Sequence, residues 1–174
     1  MRMDTKRLYL RPLTLDDAKG NYPNWLNDPD VCRYNSHGET LYTRAMAEAY
    51  IKSVENNPTC KVFAICDLAT HTHIGNISLQ AISTKNKNAE FAILMGEKSF
   101  WGKGLATEAG QALIDYGFQT LQLHRIYCGT SEANLPMQKL ATALHMSLEG
   151  RRKEAMYKND RFFDILEYGL VNKT

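Results

Sequence analysis

Apolar and polar positions divide the chain into short alternating runs and a few runs of helical period. Residues 8–13 set Leu8 and Leu10 against Tyr9 and Arg11, with Pro12 near the end, which predicts a short first strand. Thr14 precedes Leu15-Asp16-Asp17 as a cap with acids in the first turn, and predicts a helix that Pro23 breaks or restarts. Asn27-Asp28-Pro29-Asp30 predicts a second capped start with proline in the first helical position. Thr43 opens a helix whose apolar face is Ala45, Met46, Ala49, Tyr50 and Val54.

Two β-rich runs follow, residues 61–66 (Val62, Phe63, Ile65) and 74–82 (Ile74, Ile77, Leu79, Ile82), joined by a polar hairpin at 68–71. Residues 89–95 are almost wholly apolar and predict a central strand. Residues 105–121 carry apolar positions at 105, 109, 112, 113, 116 and 117, the stripe of a long amphipathic helix. A strand at 124–130 and a short helix at 134–144, capped by Asn134 with Pro136 in its first turn, come next. The end predicts two strands, 146–157 and 161–171, turned at Asn159-Asp160, a pair that tolerates positive φ. Helices early, a meander, then strand–helix–strand–helix and a hairpin make an α/β fold with a mixed, mostly antiparallel sheet. A parallel pair is expected only across the long helix.

Composition narrows the classes. One domain over 1–174 suits 174 residues, with core enough to fold without staples. The net charge of +2 gives no nucleic-acid coat and no polybasic membrane anchor. No run reaches the ~18–20 apolar residues of a membrane span, and residues 1–7 do not read as a signal peptide. Cys32, Cys60, Cys66 and Cys128 lack C-x-x-C spacing and read as thiols in a reducing cytoplasm. His71 and His73 are the one close histidine pair, without further ligands nearby; a solvated turn is expected and no metal site.

The chemistry concentrates at 95–109, where an apolar strand enters a glycine-containing loop and a long helix begins. Glycines let a ligand approach the backbone, and the first helical N–H groups are unpaired at the positive end of the dipole. This predicts an anion site for phosphate or pyrophosphate, with Lys103 adding charge and Thr107 a hydroxyl. A nucleotide P-loop fails: five residues separate Gly96 from Gly102, and Gly104 follows Lys103 where Ser or Thr is required. The dinucleotide fingerprint fails at Thr107.

Residues 91–109 resemble the acetyl-CoA-binding motif of the GNAT N-acetyltransferase superfamily, in the RimJ/RimL-like branch that also holds spermidine and amino-sugar acetyltransferases. The pattern Q/R-x-x-G-x-G/A falls on Trp101-Gly102-Lys103-Gly104-Leu105-Ala106, with Trp101 in place of the first polar residue. Leu10-Arg11-Pro12-Leu13, Trp25-Leu26-Asn27-Asp28-Pro29, Ile74-Gly75, Asn134 and Leu148-Glu149-Gly150 resemble other segments of that branch, in order along most of the chain. The resemblance implies a GNAT-like fold splayed at the coenzyme site. Acetyl-CoA would be co-substrate, with Ile93, Leu94 and Met95 pairing with its pantetheine arm. Trp101, Gly102, Lys103, Gly104, Leu105, Ala106 and Thr107 would hold its pyrophosphate. Asn134 would order the turn near the thiol.

The amine acceptor (a peptide N-terminus, a polyamine or an amino sugar) would attack the thioester directly. A lysine-like amine must first spend about 4.6 kcal/mol to be neutral at pH 7. Glu90 is the expected base. The branch's tyrosine acid falls on Ala141, which leaves that role to Ser131, Cys128 or a water, or leaves the reaction without an acid. Trp25, Arg33 and Tyr34 are the expected acceptor contacts. Arg151-Arg152-Lys153 reads as a solvated strand face. A non-enzymatic acyl-CoA-binding module of the same fold is the competing function. Oligomeric state is left open.

Overall fold

The computed structural model describes residues 1–173. Eight strands run β1 (Met3–Asp4), β2 (Leu8–Pro12), β3 (Lys61–Asp67), β4 (His73–Ser83), β5 (Asn88–Met95), β6 (Arg125–Ser131), β7 (Ser147–Lys158) and β8 (Arg161–Val171). Four α-helices are α1 (Tyr22–Trp25), α2 (Arg44–Glu55), α3 (Leu105–Gln119) and α4 (Leu135–Ala143). The strands form one sheet in the order β1-β2-β3-β4-β5-β6-β8-β7. Every neighbouring pair is antiparallel except β5 and β6, which α3 connects.

Both faces of the sheet are covered along its middle strands. Along β3, Phe63 and Ile65 enter the core that includes Leu105, Leu113 and Ile114 of α3. Val62, Ala64 and Cys66 enter a second core with Trp25 of α1 and with Ala47 and Ile51 of α2. That is why β3 reads as a continuous apolar run rather than an alternating one. The expected hairpin at Asn159-Asp160 forms, with φ of 52° and 57°. Arg151 and Arg152 are exposed on β7, paired with Asp164 and Glu132 and with Glu167.

Three expectations are corrected. The turn after Thr14 is a 3₁₀ helix, Leu15–Lys19, fixed by Asp17 accepting from the Thr14 N–H at 2.7 Å. No helix follows Asn27-Asp28-Pro29: Asp28 accepts from the Asp30 N–H, and Asn27 exchanges hydrogen bonds with the backbone of Tyr42. Such side chains compete with helical bonding. Arg33 and Tyr34 therefore lie in turns. The buried face of α2 is Ala47 and Ile51 with half-buried Tyr50 and Val54, while Met46 and Ala49 point outward. Alanines weigh little in a hydrophobic stripe, and the large Ile51 sets the face.

Candidate active site

β5 and β6 pair at only three positions: Asn88 with Arg125, Ala89 with Ile126, and Glu90 with Tyr127. Beyond Glu90 the strands separate, and β5 runs on to Met95 while β6 runs on to Ser131. The result is a fork with Glu90 at its closed end. Five further residues of β5 span about 17 Å at strand rise, and the glycine loop stands at the open end.

Gly102 and Gly104 adopt φ of 71° and 74°, the left-handed region that glycine enters without cost. A Cβ on Gly102 would meet nothing within 4 Å, and one on Gly104 only Arg7 Nη2 at 3.7 Å. Among the described residues, no acceptor takes the backbone N–H groups of residues 102–107. The loop is thus an open cradle of donors at the N-terminus of α3, which fits a pyrophosphate. Glu108 braces it from below, accepting from Thr5 Oγ1 at 2.6 Å, from the Arg7 N–H and from Arg7 Nε, both at 2.7 Å. Although burial works against ionisation, these hydrogen bonds hold the Glu108 carboxyl below its ordinary range. Arg7 also donates to the Lys103 carbonyl at 2.9 Å. Trp101 turns its indole back over β5 and donates to the Met95 carbonyl at 2.9 Å. Of the three residues expected along the arm, Met95 therefore already has a partner for its carbonyl.

The expected catalytic residues are spread along the fork. Glu90 stands opposite Gln80 of β4, in register with Ser78↔Ala92 and Asn76↔Leu94. It is half-buried and shares the face of those residues. Ser131 lies four residues beyond Tyr127, about 13 Å along β6 from the closed end. Ser131 is 3% exposed, and its hydroxyl accepts from the Ala133 N–H. Asn134 caps α4, accepting from the Met137 N–H at 3.1 Å. Ala141 is fully buried. Burial, aided by the Glu90 charge, pushes the Cys128 thiol up to about 11, far from an acid matched to a thiol of ordinary pKa ~8.5.

A cavity of about 430 Å³ opens on the same face as Glu90, between α1, α2 and strands β4 and β5. Tyr22, Tyr42, Tyr50, Asn76, Ser78 and Gln80 supply its polar walls, and Asn35 and His37 belong to the loop at its rim. Trp25, Arg33 and Tyr34 are not among its lining residues. Trp25 is buried, and its indole N–H donates to Glu97 at 2.8 Å. Arg33 is exposed and pairs with Asp30 at 3.2 Å. The cavity residues of β4 escaped the sequence reading because Asn76 and Ser78 sit inside an apolar run. Their regular alternation with Ile77 and Leu79 is the signal that could have placed them on one face.

His73, expected in a solvated turn, instead opens β4 behind the cavity. Its Nδ1 lies 3.4 Å from Asp17, which Arg11 holds through contacts of 2.9 and 2.7 Å. Arg11 and the Thr14 N–H keep the Asp17 carboxyl below its usual range against the cost of its burial. Burial draws the His73 pKa down, though Asp17 opposes this.

Residues 7–147 match the family model described as the acetyltransferase (GNAT) domain. The chain belongs to this family. The GNAT relatives include the uncharacterized N-acetyltransferase p20 of Bacillus licheniformis, 31% identical over 97% of this chain and 95% of the relative. In fold, the chain is similar to the spermidine N-acetyltransferase of Vibrio cholerae solved with CoA and spermine. That match has TM-score 0.87 at 23% identity, over 96% of each chain. It is also similar to RimL, the ribosomal L7/L12 alpha-N-protein acetyltransferase solved with coenzyme A. There the TM-score is 0.89 at 19% identity, over 98% of each chain. The splayed β5–β6 pair is part of this GNAT fold. No helix among the described residues is long and apolar enough to cross a membrane, and none of their His, Cys, Asp and Glu side chains form a metal-binding group.

Proposed function

We propose that the chain transfers the acetyl group of acetyl-CoA to a primary amine within a ternary complex, as a single RimJ/RimL-like domain. The observation that carries this reading is the run of unpaired amides at 102–107 at the mouth of the β5–β6 fork. Coenzyme A in the two related structures supports it. Trp101, Gly102, Lys103, Gly104, Leu105, Ala106 and Thr107 would hold the diphosphate, and Ile93 would offer backbone to the arm laid along the fork, since the Leu94 backbone pairs with Asn76 of β4. The bound co-substrate supplies an activated acetyl group. Glu90, on the cavity face at the closed end, takes the proton from the incoming ammonium, directly or through water. Removing that proton is the costlier requirement, since the departing thiolate needs only modest protonation. Ser131 and Asn134, at the far end of β6, order the turn and the start of α4.

The test is acetyl-CoA binding by calorimetry, together with thiol release over a panel of primary amines. Binding with amine-dependent release is the expected result. Binding without release for any amine would make the chain an acyl-CoA-binding module.

A further inference from the structure

The described lining of the cavity beside Glu90 contains no carboxylate. Its polar groups are phenols, the amides of Asn35, Asn76 and Gln80, the His37 imidazole, the Cys60 thiol and the Ser78 hydroxyl, and Gln80 already donates to that hydroxyl at 2.9 Å. The charge behind the rim loop is positive. Lys158 is 7% exposed and donates to the carbonyls of Cys32 at 2.6 Å, of His37 at 2.9 Å and of Asn35. A polycation entering here would exchange water for neutral dipoles and a neighbouring ammonium, an unfavourable trade without carboxylate partners.

One wall group has a fixed orientation. Asn76 Oδ1 lies 2.8 Å from His73 Nε2, which is also 3.0 Å from the Gly75 carbonyl. A carbonyl only accepts, so Nε2 bears the proton and donates to both oxygens. The edge-on Trp25 ring, 4.8 Å between centroids, packs against the imidazole and fixes its plane. Asn76 Nδ2 has no protein partner among the described residues, and no buried side-chain polar atom is left unsatisfied. The amide N–H₂ therefore opens on the cavity that Asn76 lines.

We infer that the acceptor is a singly charged amine that also carries neutral oxygen groups, hydroxyl or carbonyl, and that Asn76 recognises one of those oxygens through its free amide N–H. This deepens the reading above and rests on it. His73 acts through Asn76 and is a positioning residue.

The probes are glucosamine, the dipeptide Ser-Ala as its C-terminal amide and spermidine, each offered to protein saturated with acetyl-CoA while thiol release is followed. Glucosamine or Ser-Ala should exceed spermidine at least tenfold in kcat/KM. Preference for spermidine, or no turnover of any probe while acetyl-CoA binds, overturns the inference. Failure to bind acetyl-CoA overturns the proposed function instead. With the best probe, Asn76→Ala should raise KM about tenfold and leave kcat and the acetyl-CoA Kd nearly unchanged. His73→Gln should move KM in the same direction, with little further loss in the double variant. An unmoved KM in Asn76→Ala removes the residue from recognition. If that variant fails to bind acetyl-CoA, Asn76→Asp, of the same shape without the donor, decides in its place.

Discussion

Gly96 lies directly against the indole of Trp25: a Cβ built on Gly96 would fall 1.9 Å from Trp25 Cδ2. The next residue, Glu97, accepts from the nitrogen of the same ring, and the N–H groups of both Gly96 and Glu97 donate to the Ile74 carbonyl. The start of the glycine loop is thus bolted to α1. Trp25, expected to touch the acceptor, is a strut between the two halves of the site. Gly96→Ala should force the ring aside and cost about 1–3 kcal/mol, the usual range for overpacking. Chemical denaturation checks this, and a midpoint equal to that of the parent would contradict it.

The cradle makes a separate prediction. Gly104 has space around it but a left-handed φ of 74°. Gly104→Val would strain the backbone by roughly 1–2 kcal/mol and place a branched side chain among the free amides. Acetyl-CoA affinity should disappear in calorimetry while the protein stays folded by circular dichroism. Retained affinity would move the diphosphate away from this loop.

Glu90 is tested through the acid limb of the rate profile. Glu90→Gln should slow turnover about 10²–10⁴-fold, the range for a lost general base, and abolish the fall in rate at low pH. Acetyl-CoA affinity should not change, because Glu90 stands at the end of the fork away from the loop. A variant that keeps the parent's pH–rate curve has lost no base.

His73 ties stability to pH. Burial holds its pKa below the ordinary 6.5, so the unfolded chain accepts a proton that the folded chain resists. Its contribution is complete above pH 6.5 and is lost as pH falls below that value, at up to about 1.4 kcal/mol per unit. His37 is shifted the same way, by burial and then by the Lys158 charge, and adds to the decline. Tm should therefore drop between pH 7 and pH 5, and His73→Gln should flatten that slope. Equal slopes in the two proteins would show that His73 takes up no proton on unfolding in this range.

The linear order of residues determined strands β2 to β8, helices α2 to α4, the parallel pair across α3, the Asn159-Asp160 turn and the open glycine loop at the start of α3. These rest on local physics: periodicity, capping, glycine φ and the unpaired N–H groups of a helix start are properties of neighbours along the chain. Only the tertiary structure decided the cavity between the early helices and β4. Whether 27–34 wind into a helix depended on hydrogen bonds between Asn27 and Tyr42, fifteen positions away. Whether Trp25 faces a ligand depended on Glu97, and whether His73 meets water depended on Asp17. Asn76 became a candidate for recognition only when β4 and β5 paired in register and the early helices closed over them. Such contacts join segments whose separation in sequence carries no periodic signal, so packing alone could place them.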